Sequence, residues 1–250
     1  MLFRSTSAAA FLKHPFFWLI ILSGALHNFN AYAINSFLTA FLSRYHQLTI
    51  KTAGQISAVV LGAVGVFGLL MGGWLSDRFG QRRIDGRLNV GALAMLAGAP
   101  AIFLALRQPP GAIIPFMAFM GFGIMLTFIY YSAVYPAIQD YAPPQLRGRA
   151  MAIYFFAMYV FGASFGPVVL GKLSDHFATA AMQSAGAAVM DEAFRAAGLH
   201  RAMHIIPGLC AALGLVLALA SQSAAKLDPV SHRGDQGGTT NEFSASKTAS

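Results

Sequence analysis

The chain has 250 residues, of which 56% are hydrophobic and only 10% are charged, and its formal net charge is +8. Soluble domains carry about 25% charged residues, so this composition excludes a water-soluble fold and predicts an integral membrane protein. The basic residues lie in short segments between apolar runs, which is typical of membrane topology and argues against nucleic acid as a partner.

Six apolar runs approach or exceed the roughly 20 residues that are needed to cross a bilayer core. Backbone groups in lipid must be hydrogen-bonded within their own segment, so we expect every run to be a helix and the fold to be all-α. The predicted helices are Pro15–Leu42, Thr52–Leu75, Leu88–Leu106, Ala112–Ile138, Ala150–Leu173 and Ala202–Ala220. The more polar stretch Asp175–Arg201 predicts a short helix outside the membrane.

The connecting segments give the expected orientation. One side of the membrane holds roughly twice as many Lys and Arg residues as the other, and this side includes both termini and the segment Asp77–Arg87. We therefore expect both termini to be cytoplasmic and the protein to lie in the plasma (inner) membrane. Residues 1–14 are then a cytoplasmic lead-in, 15–222 a six-helix transmembrane unit, and the Ser- and Gly-rich segment 223–250 a disordered tail.

A short repeated sequence pattern divides the six helices into two sets of three. Gly73-Trp74-Leu75-Ser76-Asp77 ends the second predicted helix, and Gly171-Lys172-Leu173-Ser174-Asp175 ends the fifth, 98 residues later. The second helix ends on the cytoplasmic side and the fifth on the other side. The sequence therefore predicts two inverted three-helix repeats.

The segment Gly72–Arg83 carries the most specific pattern in the chain. It resembles the loop signature of the major facilitator superfamily, G-x-L-a-D-R-x-G-x-R-R. The matching residues are Gly73, Leu75, Asp77, Arg78, Gly80, Arg82 and Arg83. Inverted three-helix repeats nested in six-helix halves are also the architecture of that family. The resemblance implies half of a twelve-helix transporter that works by alternating access.

Other segments are similar to the C-terminal half of spinster-like members of the family. These segments are Phe41–His46, Pro143–Ala150, Phe165–Pro167 and Gly171–Asp175. The resemblance implies that a turn such as Asp77–Arg83 forms a cytoplasmic gate, in which charged residues lock one state of the cycle, with Arg147 as a possible partner of Asp77. The alternative is a plain basic loop on the cytoplasmic side.

Polar residues on the first and fourth helices suggest a cavity wall. Asn28, Tyr32, Asn35 and Thr39 are spaced to share one face of the first helix, and His27 and Asn30 lie beside them. Thr127, Tyr131 and Tyr135 share a face of the fourth helix. The predicted cavity residues are His27, Asn28, Tyr32, Asn35, Tyr131 and Tyr135. Hydrogen bonding between helices and core packing remain the alternatives.

His27 is the only ionisable residue deep within a predicted span, so it is either a proton carrier or a neutral, hydrogen-bonded histidine. The hydrolase-like pattern Gly162-Ala163-Ser164-Phe165-Gly166 lies inside a predicted helix, where it serves packing, and we do not expect an enzyme. No cofactor or metal is implied.

The predicted function is transport of a small organic or lipid-like solute. The expected partners are the lipid bilayer, this solute, and either a missing N-terminal six-helix half or a second copy of the chain. The alternative function is a non-transporting membrane interaction protein or an inactive truncated remnant.

Overall fold

The computed structural model describes residues 13–80, 85–142 and 144–226. Within these ranges the regular secondary structure is entirely helical. Six helices are long and apolar enough to cross a membrane: α1 (Pro15–Arg44), α2 (Ile50–Phe79), α3 (Gly86–Leu106), α4 (Ile113–Tyr141), α5 (Arg147–Ser184) and α6 (Glu192–Ala224). The predicted all-α fold with six spans is confirmed.

Several helices extend beyond their apolar runs. Helical geometry continues through Gly80, so Asp77 and Arg78 lie in the last turn of α2 and the predicted turn at Asp77 is wrong. Helix α5 runs on to Ser184, and α6 begins at Glu192. The predicted short helix is therefore the polar first part of α6, in which the regular helix is interrupted at His204. A carboxylate cap allows this early start, because Asp191 accepts a hydrogen bond from the Phe194 backbone N–H at 2.9 Å.

The helix contacts follow the predicted repeats. Helix α3 packs on α4 as α6 packs on α1, and α2 packs on α4 as α5 packs on α1, while α3 and α6 pack on each other. Exchanging α1, α2 and α3 for α4, α5 and α6 leaves this set of contacts unchanged. Successive spans run in opposite directions, so α4 is antiparallel to α1 and the repeats are inverted.

Each repeat also has a π-helical interruption in its second helix. The segments are Val59–Ala63 in α2 and Met158–Ala163 in α5. In each segment a backbone N–H donates to the carbonyl five residues earlier, from Val64 to Val59 and from Ser164 to Tyr159. Because π-turns often mark functional sites and bends, their matched positions indicate that α2 and α5 have equivalent roles.

Glycines let the second helix of each repeat approach the first helix of the other. A Cβ atom added to Gly68 on α2 would lie 2.3 Å from the Met125 carbonyl oxygen on α4. One added to Gly166 on α5 would lie 2.4 Å from the Phe29 carbonyl oxygen on α1. Gly162, one turn earlier, also lies against α1, so the hydrolase-like pattern is part of a helix-packing seam.

The residues outside the described ranges include several that carry predictions. Arg82 and Arg83 of the gate signature lie there, as do most of the lead-in and residues 227–250 of the tail. The first residues predicted to be in the tail belong to the end of α6, which continues to Ala224.

Candidate functional site

A cavity of about 250 Å³ lies between α1, α3, α4 and α6, and Leu61 of α2 also contributes to its lining. Four of the six residues predicted to line a cavity do so: His27, Tyr32, Asn35 and Tyr131. Asn30 and Thr127 add further polar groups to its wall. The remaining lining residues are mostly apolar, so the site combines an apolar surface with a few polar groups, as small-molecule sites do.

The polar residues of α1 divide among different neighbours. Asn28 is buried against α5. A Cβ atom added to Gly162 on that helix would lie 2.7 Å from the Cβ atom of Asn28. The Thr39 hydroxyl donates to the Ser57 hydroxyl on α2 at 3.0 Å. Only the middle of the predicted stripe, Tyr32 and Asn35, lines the cavity. Part of the stripe therefore serves helix–helix contact, as the alternative interpretation held.

His27 is enclosed by tyrosine rings. It is 4% exposed, and its ring lies parallel to that of Tyr130 with centroids 4.0 Å apart. Tyr131 meets the same imidazole edge-on at 4.7 Å. These contacts fix the ring of His27 at the cavity wall, with α4 supplying both aromatic partners.

Hydroxyl groups behind His27 connect three helices. The Ser23 hydroxyl donates to the Ile20 carbonyl oxygen at 2.8 Å, so its oxygen is free to accept from the Tyr130 hydroxyl at 2.8 Å. The Tyr130 oxygen in turn lies 2.9 Å from the Tyr154 hydroxyl on α5. Tyr135 does not line the cavity, because its hydroxyl points to the Met158 sulfur at 3.9 Å.

Two buried polar atoms of residues that line the cavity have no hydrogen-bond partner among the described residues. They are Nε2 of His27 and Oδ1 of Asn30. Leaving a buried polar atom unpaired costs about 1–3 kcal/mol. Such atoms in a cavity wall are candidates for contact with a ligand. Asn30 was not among the predicted cavity residues. Its spacing of three from His27, however, puts the two side chains on the same side of α1.

The end of the bundle that holds Asp77 has a three-residue charge cluster. Arg87, in the first turn of α3, donates through Nη2 to Asp77 on α2 at 3.5 Å and through Nη1 to Asp140 on α4. One guanidinium therefore connects the ends of three helices. Arg147 does not contact Asp77; its Nε donates instead to the Ala142 carbonyl oxygen at 3.4 Å.

The other described gate residues have looser surroundings. A Cβ added to Gly73 would have nothing within 4 Å, whereas one added to Gly72 would lie 2.9 Å from the Ile129 Cα atom. Gly72 is thus the packing residue of the pair. Arg78 lies in the last turn of α2, where a positive charge interacts favourably with the helix dipole. Gly80, directly after Phe79, is the last residue with helical geometry.

The opposite end of the bundle carries a histidine cluster. His46, in the loop between α1 and α2, accepts a hydrogen bond at Nδ1 from the Gly111 backbone N–H at 3.2 Å. His200 on α6 donates through Nε2 to the Leu106 carbonyl oxygen at 2.7 Å and stacks on Tyr45. Arg44 and Glu192 form an ion pair at this end. These contacts connect two loops with α6.

This cluster predicts a pH-dependent stability. Burial, and secondly the charge of His200, lower the pKa of His46 from 6.5 to about 4. An unfolded chain binds a proton here near pH 6.5 and the folded chain only near 4, so stability is full above about pH 6.5 and falls as the pH drops towards 4. Protonation of Nδ1 would also remove the bond from Gly111.

We therefore expect a lower thermal midpoint at pH 5 than at pH 7.5. His46→Gln, which keeps an acceptor but does not titrate, should reduce this difference. His176→Gln, at an exposed position, is the control and should leave it unchanged. An unaltered pH dependence in His46→Gln would contradict the assignment.

Two known proteins resemble this chain in sequence over part of its length. An MFS-type efflux pump of Mycolicibacterium smegmatis is 30% identical over 164 residues, which cover 66% of this chain and 38% of the pump. Human protein spinster homolog 3 is 25% identical over 121 residues, which cover 47% of this chain and 24% of the human protein. The matches thus span well under half of these relatives.

Solved structures share the fold. A bacterial homolog of the human lysosomal transporter Spinster, in an inward-facing and unoccupied conformation, superposes with a TM-score of 0.77 at 21% identity. The match covers 88% of this chain and 50% of the homolog. An inward-facing and occupied structure gives a TM-score of 0.73 at 20% identity. The six helices therefore match half of a transporter fold.

The family assignment rests on the greater part of the sequence. The Major Facilitator Superfamily pattern matches residues 3–167, a range that covers α1 to α4 and the first part of α5. It includes the Asp77 signature and the polar residues of α1 and α4 that form the cavity wall. The chain belongs to the Major Facilitator Superfamily.

Proposed function

We propose that the chain is one six-helix half of an alternating-access secondary transporter for a small organic or lipid-like solute. The observation that carries this proposal is the cavity: polar residues of α1 and α4, the equivalent first helices of the two repeats, converge on one partly apolar site. Transporter sites lie at repeat interfaces near the middle of the bilayer. The transporter structures with the same fold support the assignment.

The half is proposed to be the C-terminal one and to work with a second six-helix half. That partner is either an N-terminal half or a second copy of this chain. Large apolar side chains on α2 and α5 are exposed, among them Phe67, Leu70, Phe156 and Phe161. A partner half would cover part of this surface and close the cavity from the other side, while lipid would cover the rest.

His27 is the proposed proton-coupling residue of this half. It lies near the middle of α1, lines the cavity, and combines burial with an unpaired Nε2 atom. Intramembrane ionisable groups commonly take part in proton relays. The basic residues near Asp77 favour a cytoplasmic location for that end and for both termini, in the plasma (inner) membrane.

The test combines association with transport. Two differently tagged copies of the chain are expressed together, alone or with a candidate N-terminal half, and reconstituted for uptake of a panel of small organic solutes. Transport with self-association supports a homodimer, and transport only with the added half supports a split transporter. No uptake in either case would favour a non-transporting interaction protein or an inactive remnant.

A further inference from the structure

We propose that the buried end of the cavity binds an uncharged hydrogen-bond donor, such as a hydroxyl group or an amide N–H, carried on an apolar body. This inference rests on the proposed function and specifies its class of solute. Three observations carry it: the depth of the polar atoms, the orientation of the Asn30 amide and the uncharged lining.

The cavity has an exposed mouth and a buried end. Tyr32, at the mouth, is 38% exposed, whereas His27 and Asn30 are 4% and 7% exposed. Five further lining side chains, from α3 and α6, are apolar and almost fully buried: Met95, Ile102, Ile206, Cys210 and Leu213. A solute that reaches His27 and Asn30 therefore exchanges water for apolar surroundings.

The Asn30 side chain is oriented by a contact with α6. Its Nδ2 donates to the Ile206 carbonyl oxygen at 3.4 Å, and this bond places the amide oxygen on the other side of the group. The Oδ1 atom is buried and accepts no hydrogen bond within the described part of the chain. An amide oxygen can only accept, so a ligand group that satisfies it must donate a hydrogen.

His27 supplies a second contact three residues earlier on the same side of α1. Its unpaired Nε2 can donate or accept, depending on the tautomer. A hydroxyl group suits both residues, because it can donate to Asn30 while it accepts from His27 in the Nε2–H tautomer. Carboxylate and phosphate oxygens that carry no hydrogen would leave Asn30 unsatisfied.

The lining also disfavours a charged group. Among the described residues that surround the cavity, none is Asp, Glu, Lys or Arg. While His27 is neutral, a charge brought to the buried end would lose its hydration without gaining an opposite charge there, at a cost of several kcal/mol. An uncharged donor avoids this cost and still satisfies the two polar atoms.

Three probes of similar shape test the proposal: 2-naphthol, which is a neutral donor, 2-methoxynaphthalene, which lacks the hydrogen, and anionic 2-naphthoate. Affinities for the full chain in lipid nanodiscs are measured from the ligand dependence of the thermal midpoint. We expect 2-naphthol to bind at least about tenfold more tightly than either other probe, the ratio expected for one buried hydrogen bond. Equal affinities for 2-naphthol and its methyl ether would overturn the proposal.

Substitutions assign the preference to one atom. Asn30→Ala should bring the affinities for 2-naphthol and its ether to within a few-fold of each other. Asn28→Ala is the matched control, because Asn28 is a buried asparagine of the same helix that faces α5. A full preference in Asn30→Ala would reject the assignment.

The binding test with the three probes and the transport test can give different answers. The comparison of the three probes on the unchanged chain decides the proposal even if Asn30→Ala fails to fold. Selective binding without transport would keep this site and reject the transporter assignment. Transport without selective binding would keep the transporter assignment and reject this site.

Discussion

Replacement of Gly166 by valine should prevent stable packing of α5 on α1. A Cβ at this position would lie 2.4 Å from the Phe29 carbonyl oxygen and 3.1 Å from the Phe29 Cα atom. Both are backbone atoms of a helix, so they cannot rotate away as a side-chain end could. Overpacking typically costs 1–3 kcal/mol, and we expect a loss of about 3 kcal/mol or more for the branched side chain.

The repeat symmetry extends this prediction to α2. Gly68→Val should have a comparable effect, because a Cβ at Gly68 would lie 2.3 Å from the Met125 carbonyl oxygen of α4. Gly208→Ala on α6 is the control, since a Cβ there would meet nothing within 4 Å. Unfolding in detergent, followed by circular dichroism, measures the changes. A thermal midpoint for Gly166→Val close to that of the unchanged chain would refute the close-packed seam.

The bilayer explains why the number of helices could be predicted. Each run had to satisfy its own backbone hydrogen bonds, so apolar length was enough to identify six spans. Their ends were less predictable, because a polar helical segment such as Glu192–Met203 extends a helix beyond its apolar run. The π-turns have no distinct composition, and only their matching positions in the two repeats reveal their importance.

The cavity was predicted in part, for a geometric reason. Residues that share one face of a short helix meet the same neighbour, but α1 is 30 residues long and crosses several helices. Asn28 therefore faces α5, Thr39 bonds to α2, and the positions between them reach the cavity. Spacing along one helix cannot specify which neighbour each turn meets.

The charge cluster at Asp77 shows a similar limit. The family signature identified Asp77 from sequence, but its partner Arg87 looked like one more basic residue of the connecting segment. Asp140 lies two residues beyond the predicted end of the fourth helix. Their proximity depends on the way α2, α3 and α4 converge, which no pattern within a single segment records. Contacts between segments thus had to come from the structure.

If the chain is part of a transporter as proposed, loss of the Arg87 charge should reduce transport far more than stability. The carboxylates of Asp77 and Asp140 are largely exposed, at 69% and 56%, so water can solvate them when the guanidinium is gone. Exposed ion pairs contribute only about 0–1 kcal/mol to stability. Arg87→Gln should therefore insert and fold almost normally, with a thermal midpoint close to that of the unchanged chain.

Transport depends on a different quantity, the balance between the two states of the cycle. A contact made in one state shifts that balance by its full free energy, and about 1.4 kcal/mol corresponds to tenfold. The two exposed pairs together contribute at most about 2 kcal/mol, so we expect Arg87→Gln to lower uptake several-fold. Asp77→Asn, which removes only the 3.5 Å contact, should impair uptake less and leave membrane insertion intact.

The comparison of variants separates a gate from a plain basic loop. Arg149→Gln removes a positive charge from an exposed position in the first turn of α5, outside both the cluster and the signature, so it is the control and should transport nearly normally. Uptake and membrane-inserted protein are measured on the same preparations for all variants. If Arg87→Gln and Arg149→Gln reduce uptake equally, the charge acts only through topology. If Arg87→Gln alone reduces uptake, the cluster that joins α2, α3 and α4 controls the cycle.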